Sequence, residues 1–233
     1  MNRKAETPVP VSASDAGPLM LAVFKLAPTL SLLLCMLLLA VPTTLDVAEW
    51  FLAENHPVEL LTFLSLMAAS LLAALVLRRE VKGAKNRWVE LTFAIVALGA
   101  FFTAMEEIAW GQWLLVFDTP ESWRAINEQG ETTFHNLKGF QGKTEIPRLF
   151  FGLAGLVAVS FRSVPLFVRI SAPPILAWWF GPIAIHALVD LAEDFVQLPE
   201  SIRHPLSRTS ELTEMLIGLA AAFYAWWHWR EKI

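Results

Sequence analysis

The chain has 233 residues, 55% of them hydrophobic and 17% charged, with a mean hydropathy of +0.50 and a formal net charge of −4. This composition excludes an ordinary soluble domain unless the apolar residues gather into membrane-length runs, which they do. The single cysteine, Cys35, excludes an intrachain disulfide and a thiol-based metal or redox motif, and the acidic balance gives no sign of a nucleic-acid partner.

In chain order, residues 1–18, with Pro8, Pro10, Ser12, Ser14 and Pro18, read as a flexible tail, and residues 19–233 as one transmembrane helical domain. Apolar runs predict spans at about 26–42, 57–77, 88–110, 148–164, 173–192 and 211–228. Each is near the ~20 residues that a rise of ~1.5 Å per residue requires. Arg162 and Pro165 cut the fourth short. The first run ends in Leu39-Ala40-Val41-Pro42-Thr43, a poor cleavage site, so it reads as a transmembrane helix and not as a signal peptide.

Lys and Arg are retained on the cytoplasmic side of a membrane. With six spans and the N-terminus inside, the inner segments hold twelve of the 18 basic residues and five of the 22 acids, a balance of +7, while the outer segments hold six and seventeen, a balance of −11. The basic run at 78–87 is part of that signal and not a nucleic-acid patch. The expected fold is therefore an all-α polytopic membrane bundle of about six transmembrane helices among membrane lipids. Both termini are cytoplasmic and one long extracytoplasmic loop covers about 118–147.

Polar residues that do not belong in lipid converge on the outer side. Glu106 and Glu107 sit side by side in an apolar run from 88 to 117, with Trp110 one turn beyond Glu106. A carboxylate inside hydrocarbon costs roughly 2.5–3.5 kcal/mol, so the pair needs a proton, a cation or a polar cavity. Alternatively Arg124, Lys138 or Arg148 from the outer loop neutralises it, and the pair then fixes the loop.

The long loop reads as a functional lid. Thr119-Pro120-Glu121 marks a helix start with Thr119 as cap. Residues 127–136 would align Glu128, Glu131 and His135 if helical, although Gly130 and two threonines oppose that. The fifth span carries His186, Asp190 and Glu193 or Asp194 as one stripe, and the sixth opens with Glu211 and Glu214. Gln112 and Asn136 complete the polar set, while His228, Trp226, Trp227, Trp229 and Trp88 read as an interfacial belt at the inner side.

Carboxylates with imidazoles under a lid suit a divalent metal, Zn²⁺ or Mn²⁺, held by His135, His186, Asp190 and Glu106 or Glu107. Its bound water would hydrolyse a lipid ester, amide or phosphodiester, with Glu106 or Glu107 as catalytic base. Two other classes compete: a proton- or cation-coupled transporter, and a non-catalytic subunit docking a membrane protein partner through the outer loop. Transport requires a polar route to the inner face, where only Glu90 is available.

Glu106-Glu107-x-x-Trp110-Gly111-Gln112, followed by Asn127-x-Gln129-Gly130-Glu131-x-x-x-His135-Asn136, resembles a family of uncharacterised bacterial multi-pass membrane proteins. The resemblance covers 104–136 strongly and Glu211-x-x-Glu214-Met215 weakly. It implies a bacterial inner-membrane location and the importance of these positions, and carries no activity. A fainter similarity is to membrane hydrolases of the alkaline ceramidase and progestin receptor type, which bind zinc through helix-borne histidines. In that comparison Asp190 stands where a second histidine, four residues after His186, is expected.

Overall fold

A computed structural model describes residues 17–83, 86–139, 143–193 and 195–231. The described residues are helical, with no strand beyond an isolated bridge between Asn127 and Leu137. In order the helices are α1 (Pro18–Ala40), α2 (Pro42–Leu52), α3 (Pro57–Lys82), α4 (Arg87–Glu107), α5 (Gln112–Leu115), α6 (Glu121–Arg124), α7 (Glu145–Ser160), α8 (Ala177–Ala192) and α9 (Glu200–Arg230). Proline at the first position opens α1, α2 and α3, where its missing N–H removes nothing. Asn86 opens α4 by accepting from the Trp88 and Val89 amides at 3.0 and 3.4 Å.

Five segments are long and apolar enough to cross a membrane: Pro18–Ala40, Pro42–Lys82, Arg87–Glu107, Glu145–Ser163 and Pro174–Ala192. α1 begins at Pro18, well before the expected position 26, because one Lys25 in an apolar run does not stop a helix. Residues 1–16 of the expected tail lie outside the described residues. α9 starts eleven residues before the expected 211, running through Pro205, and it is the longest helix. Its first half is rich in charged residues, yet it is the hub: it packs along α3 and also against α1 and α8. α4 lies on α3 and α7 lies on α8. α7 meets the rest of the bundle through Phe151, which packs against the cluster of Leu66, Ala100, Ala104 and Ala221.

Small residues allow the close approaches. A Cβ on Gly152 would lie 2.8 Å from the backbone nitrogen of Ala184, and one on Gly155 would enter the Phe180 ring. Without a hydrophobic driving force between helices in lipid, such backbone contact is how they associate.

One end of the bundle is closed by polar contacts. Arg79 donates to the carbonyls of His228 (2.8 Å) and Trp229 (3.0 Å) at the C-terminus of α9, and buried Glu80 accepts twice from Arg169, at 2.9 and 3.1 Å. Tyr224 donates to the Ile170 carbonyl at 2.8 Å. His228, expected in an interfacial belt, is instead only 2% exposed, with Nε2 3.1 Å from the Ser171 carbonyl oxygen and its ring against Phe93 and Tyr224. The segment before α8 folds back over it, a long-range contact that local spacing does not encode.

Gly155→Ala and Gly152→Ala are each expected to lower the thermal midpoint of the purified protein, since overpacking costs ~1–3 kcal/mol. Gly99→Ala, whose Cβ would meet nothing within 4 Å, is the control and should be neutral or stabilising. Size-exclusion profiles after heating provide the measurement. Equal midpoints for Gly155→Ala and Gly99→Ala would contradict this α7–α8 packing.

Candidate functional site

Helix α4 ends at Glu107, and the chain then reverses through three consecutive left-handed residues, Ala109 (φ +45°), Trp110 (φ +56°) and Gly111 (φ +83°). For the two that are not glycine this costs on the order of 1–3 kcal/mol each, so other contacts must hold it. They are the Trp110 indole N–H, which donates to Glu106 Oε1 at 2.5 Å, and the Gly111 amide, which donates to the Ile108 carbonyl at 2.7 Å. The expected span to residue 110 is therefore corrected: Trp110 reaches Glu106 through a reversal and not through another helical turn.

Gln112 points from this reversal into the long connection. Its Nε2 donates to Thr119 Oγ1 (2.8 Å) and its Oε1 accepts from the Thr132 amide (3.0 Å). Thr119 thus serves Gln112 and makes no cap hydrogen bond to the short α6. Residues 127–136 are not helical, so Glu128, Glu131 and His135 do not share a helix face. Asn127 gathers the loop instead. Its Oδ1 accepts from the Gln129 and Glu131 amides at 3.0 and 3.1 Å, and its Nδ2 donates to the Thr133 carbonyl at 2.9 Å. Short polar side chains that satisfy nearby backbone in this way compete with a helix. Glu128 N to Asn136 O (2.8 Å) and Lys138 N to Ile126 O (2.9 Å) close the ends, and Gly130 supplies the turn at φ +70°.

Two fastenings hold this loop over the helices. Glu106 Oε2 accepts from the Phe134 amide at 2.6 Å and the His135 amide at 3.0 Å, and lies 3.2 Å from His135 Nδ1. At the other edge Gln129 Nε2 donates to Glu54 Oε1 at 2.9 Å, while Asn136 Nδ2 donates to Gln129 Oε1.

Beneath the loop is a cavity of about 590 Å³. Glu59 from α3, Glu107 from α4 and Glu211 and Glu214 from α9 line it, with Glu54, Glu131 and His135 at its roof. Leu66, Phe102, Phe151 and Ile217 form its apolar lower part. The buried cation is Arg148, 4% exposed, at the start of α7. It donates through Nη2 to Asp190 Oδ2 (2.7 Å) and Thr144 Oγ1 (3.1 Å) and through Nε to the Thr144 carbonyl (3.1 Å), with Glu214 Oε1 at 3.9 Å. Arg148 Nη1 is buried without a hydrogen-bond partner.

The expected residues thus divide. Glu107, Glu131, His135, Asn136, Glu211 and Glu214 line the cavity, and Glu106 lines it while holding the lid. Glu106 is a positioning group, its carboxylate already saturated by loop donors. Asp190 is taken up by Arg148, and His186, 6% exposed, is buried outside the cavity lining. Asp194 lies outside the described residues. The expected metal set His135, His186, Asp190 and Glu106 is therefore not assembled, because the polar stripe of α8 turns toward Arg148 and not into the cavity. Among the described residues no three His, Cys, Asp or Glu side chains are grouped to hold a metal ion.

Sequence reasoning missed Glu59 and Glu54. Glu59 is the third residue of α3 and its carboxylate accepts from the Asn55 amide, a helix-start pattern that placed it at this end of the membrane.

On the loop, burial alone would depress His135, but its hydrogen bond to Glu106 and the charges of Glu106, Glu214 and Glu131 outweigh that and raise it above its ordinary 6.5. Burial, and then the charge of Glu54, push Glu131 up. In both cases the folded loop binds protons more tightly than the unfolded chain. Its stability is therefore full below the unfolded pKa of each group and falls as pH rises through the folded one.

Amide exchange at 131–137, corrected for intrinsic rate, should accordingly lose protection as the pH rises above the ordinary histidine value of 6.5 in the wild type, and less so in His135→Asn. Glu106→Gln should reduce protection of the Phe134 and His135 amides roughly tenfold or more throughout, since hydrogen bonds to a charged acceptor are worth ~1.5–3 kcal/mol. A pH-independent lid would contradict the role of His135.

No protein family, curated protein or solved structure matches the chain.

Proposed function

We propose that the chain is a six-span protein of a bacterial inner membrane, both termini cytoplasmic, whose carboxylate cavity faces outward and binds a cationic ligand beneath its lid. α9 is the sixth span in this reading, sheltered from lipid by α1, α3 and α8. Sidedness rests on Arg78, Arg79, Lys82 and Arg169 standing at the end away from the cavity.

One observation carries the function: Glu59, Glu107, Glu211 and Glu214 line the same cavity as Arg148, itself 2.7 Å from Asp190. Like charges at close range in a medium of low dielectric need a counter-charge, and Arg148 supplies one, already shared. A space of about 590 Å³ has the size of small-molecule sites and far exceeds a bare ion. Glu107, with no loop donor to saturate it, is the group that meets the ligand and the candidate acid or base. The apolar floor, closed by Leu66 packed with Ala69, Ala100, Ala104 and Ala221, favours binding from one side over passage across.

Calorimetry with n-butylammonium and n-butanol at about pH 7.5 tests this reading, a value that leaves an ordinary amine charged. The ammonium should bind and the alcohol should not, and Glu107→Gln and Glu214→Gln should each weaken binding roughly tenfold, the size of one charge-assisted contact. Equal binding of the two probes would overturn the reading. Stoichiometric Zn²⁺ or Mn²⁺ binding that displaces the ammonium would favour a metal-dependent hydrolase built on the glutamates.

A further inference from the structure

We infer that the ligand of this cavity is a membrane-resident amphiphile carrying an ammonium group and a neutral oxygen acceptor, and that it reaches the cavity sideways from the bilayer between α4 and α7. The inference rests on the cation reading above and adds the substrate class and the route.

Depth within the cavity favours an amphiphile. Glu59 and Leu66 both line the cavity from α3, seven residues apart, which at ~1.5 Å per residue sets the apolar floor roughly 10 Å below the carboxylate. Glu214 and Ile217 repeat the order on α9. A hydrophilic cation has no use for a compartment walled by Leu66, Phe102, Phe151 and Ile217. An amphiphile in the outer leaflet already has this orientation, with its polar head at the level of the glutamates and its chain below.

The walls of the cavity differ in how they are closed. The polar end is roofed by the loop through Glu106 and the Phe134 amide, and through Gln129 and Glu54. The side is different. α4 contributes Phe102 and Thr103 to the cavity wall and α7 contributes Pro147 and Phe151, and the two helices are not among the closely packed pairs of the described residues, so mainly apolar side chains stand on this side of the cavity. Phe102 is 42% exposed, and its ring is 5.5 Å from that of Phe134 on the loop.

Arg148 supplies the contact for the oxygen acceptor. It is 4% exposed, lines the cavity, and has every nitrogen engaged except Nη1. A buried donor without a partner is costly, and an acceptor on the ligand would satisfy it. Four glutamates around the same space disfavour an anionic acceptor, so a hydroxyl or carbonyl oxygen next to the ammonium is the matching chemistry.

The test uses the full-length protein in lipid nanodiscs and a dodecylammonium probe with a diazirine in its chain. Photolabelling is expected on Leu66, Phe102, Phe151 and Ile217. Unlabelled 1-aminododecan-2-ol should suppress it tenfold or more, plain dodecylammonium less strongly, and dodecanol not at all. Labelling confined to outward-facing residues such as Leu98 and Phe150, or competition by dodecanol equal to that of the amines, would overturn the inference. The two readings separate cleanly. If n-butylammonium binds in calorimetry while the long-chain probe labels only the outer surface, the cation site stands and the amphiphile falls, whereas both fall if neither amine binds. Equal competition by the amine and the amino alcohol would remove the oxygen acceptor from the proposal.

Discussion

The Glu106 carboxylate joins everything at the working end of the molecule. It sits in the last turn of α4, where the helix carbonyls make a negative charge unfavourable. Its two oxygens offset this by accepting from the Trp110 indole, the Phe134 and His135 amides and the His135 ring. Those donors come from the strained reversal after the helix and from the loop 28 and 29 residues further on. The carboxylate therefore makes a costly backbone conformation and a long connection mutually dependent. Remove the acceptor, and the reversal loses its indole anchor while the loop loses two of the amides that seat it.

α9 solves a second problem created by the same site. A cavity of glutamates needs acids at membrane depth, and a lipid-facing helix cannot carry them cheaply. The chain puts Glu211 and Glu214 on the helix that is most enclosed by other helices, and lets its later turns be apolar and small where α3 approaches. Gly218 illustrates the fit, since a Cβ there would collide with Ser65 Oγ. This explains why the central element has the least membrane-like composition of the long helices.

The membrane class and the gathering of acids at one end were legible in the sequence, because both depend on composition and on alternation along the chain. Glu107, Glu211 and Glu214 could be placed together from topology alone. What escaped depends on side-chain direction and on non-local closure. His186 and Asp190 occupy the right depth but face Arg148 and the interior, and helical spacing does not say which neighbour a stripe meets. The loop resisted prediction because Asn127, Gln112 and Glu106 organise it through side-chain to backbone bonds over 2 to 29 residues, with no period to detect. Glu59 was hidden by its ordinariness, as an acid in a first helical turn has a sufficient local reason to be there. His228 likewise looked interfacial until the chain before α8 was seen to cover it.

Glu106 and Glu107 follow one another on a helix and so point about 100° apart, which divides their work. One holds the loop and the other lines the cavity. His135 links the two roles: its Nδ1 lies 3.2 Å from Glu106 Oε2, and it lines the same cavity as Glu107 and Glu214. His135 and Arg148 are thus the basic side chains that line the cavity with the glutamates. The ammonium of the proposed ligand, placed among Glu107, Glu211 and Glu214, would share these carboxylates with Arg148 and His135. The Phe134 and His135 amides fasten the loop to Glu106 through its backbone, and the His135 ring adds a contact that depends on its proton.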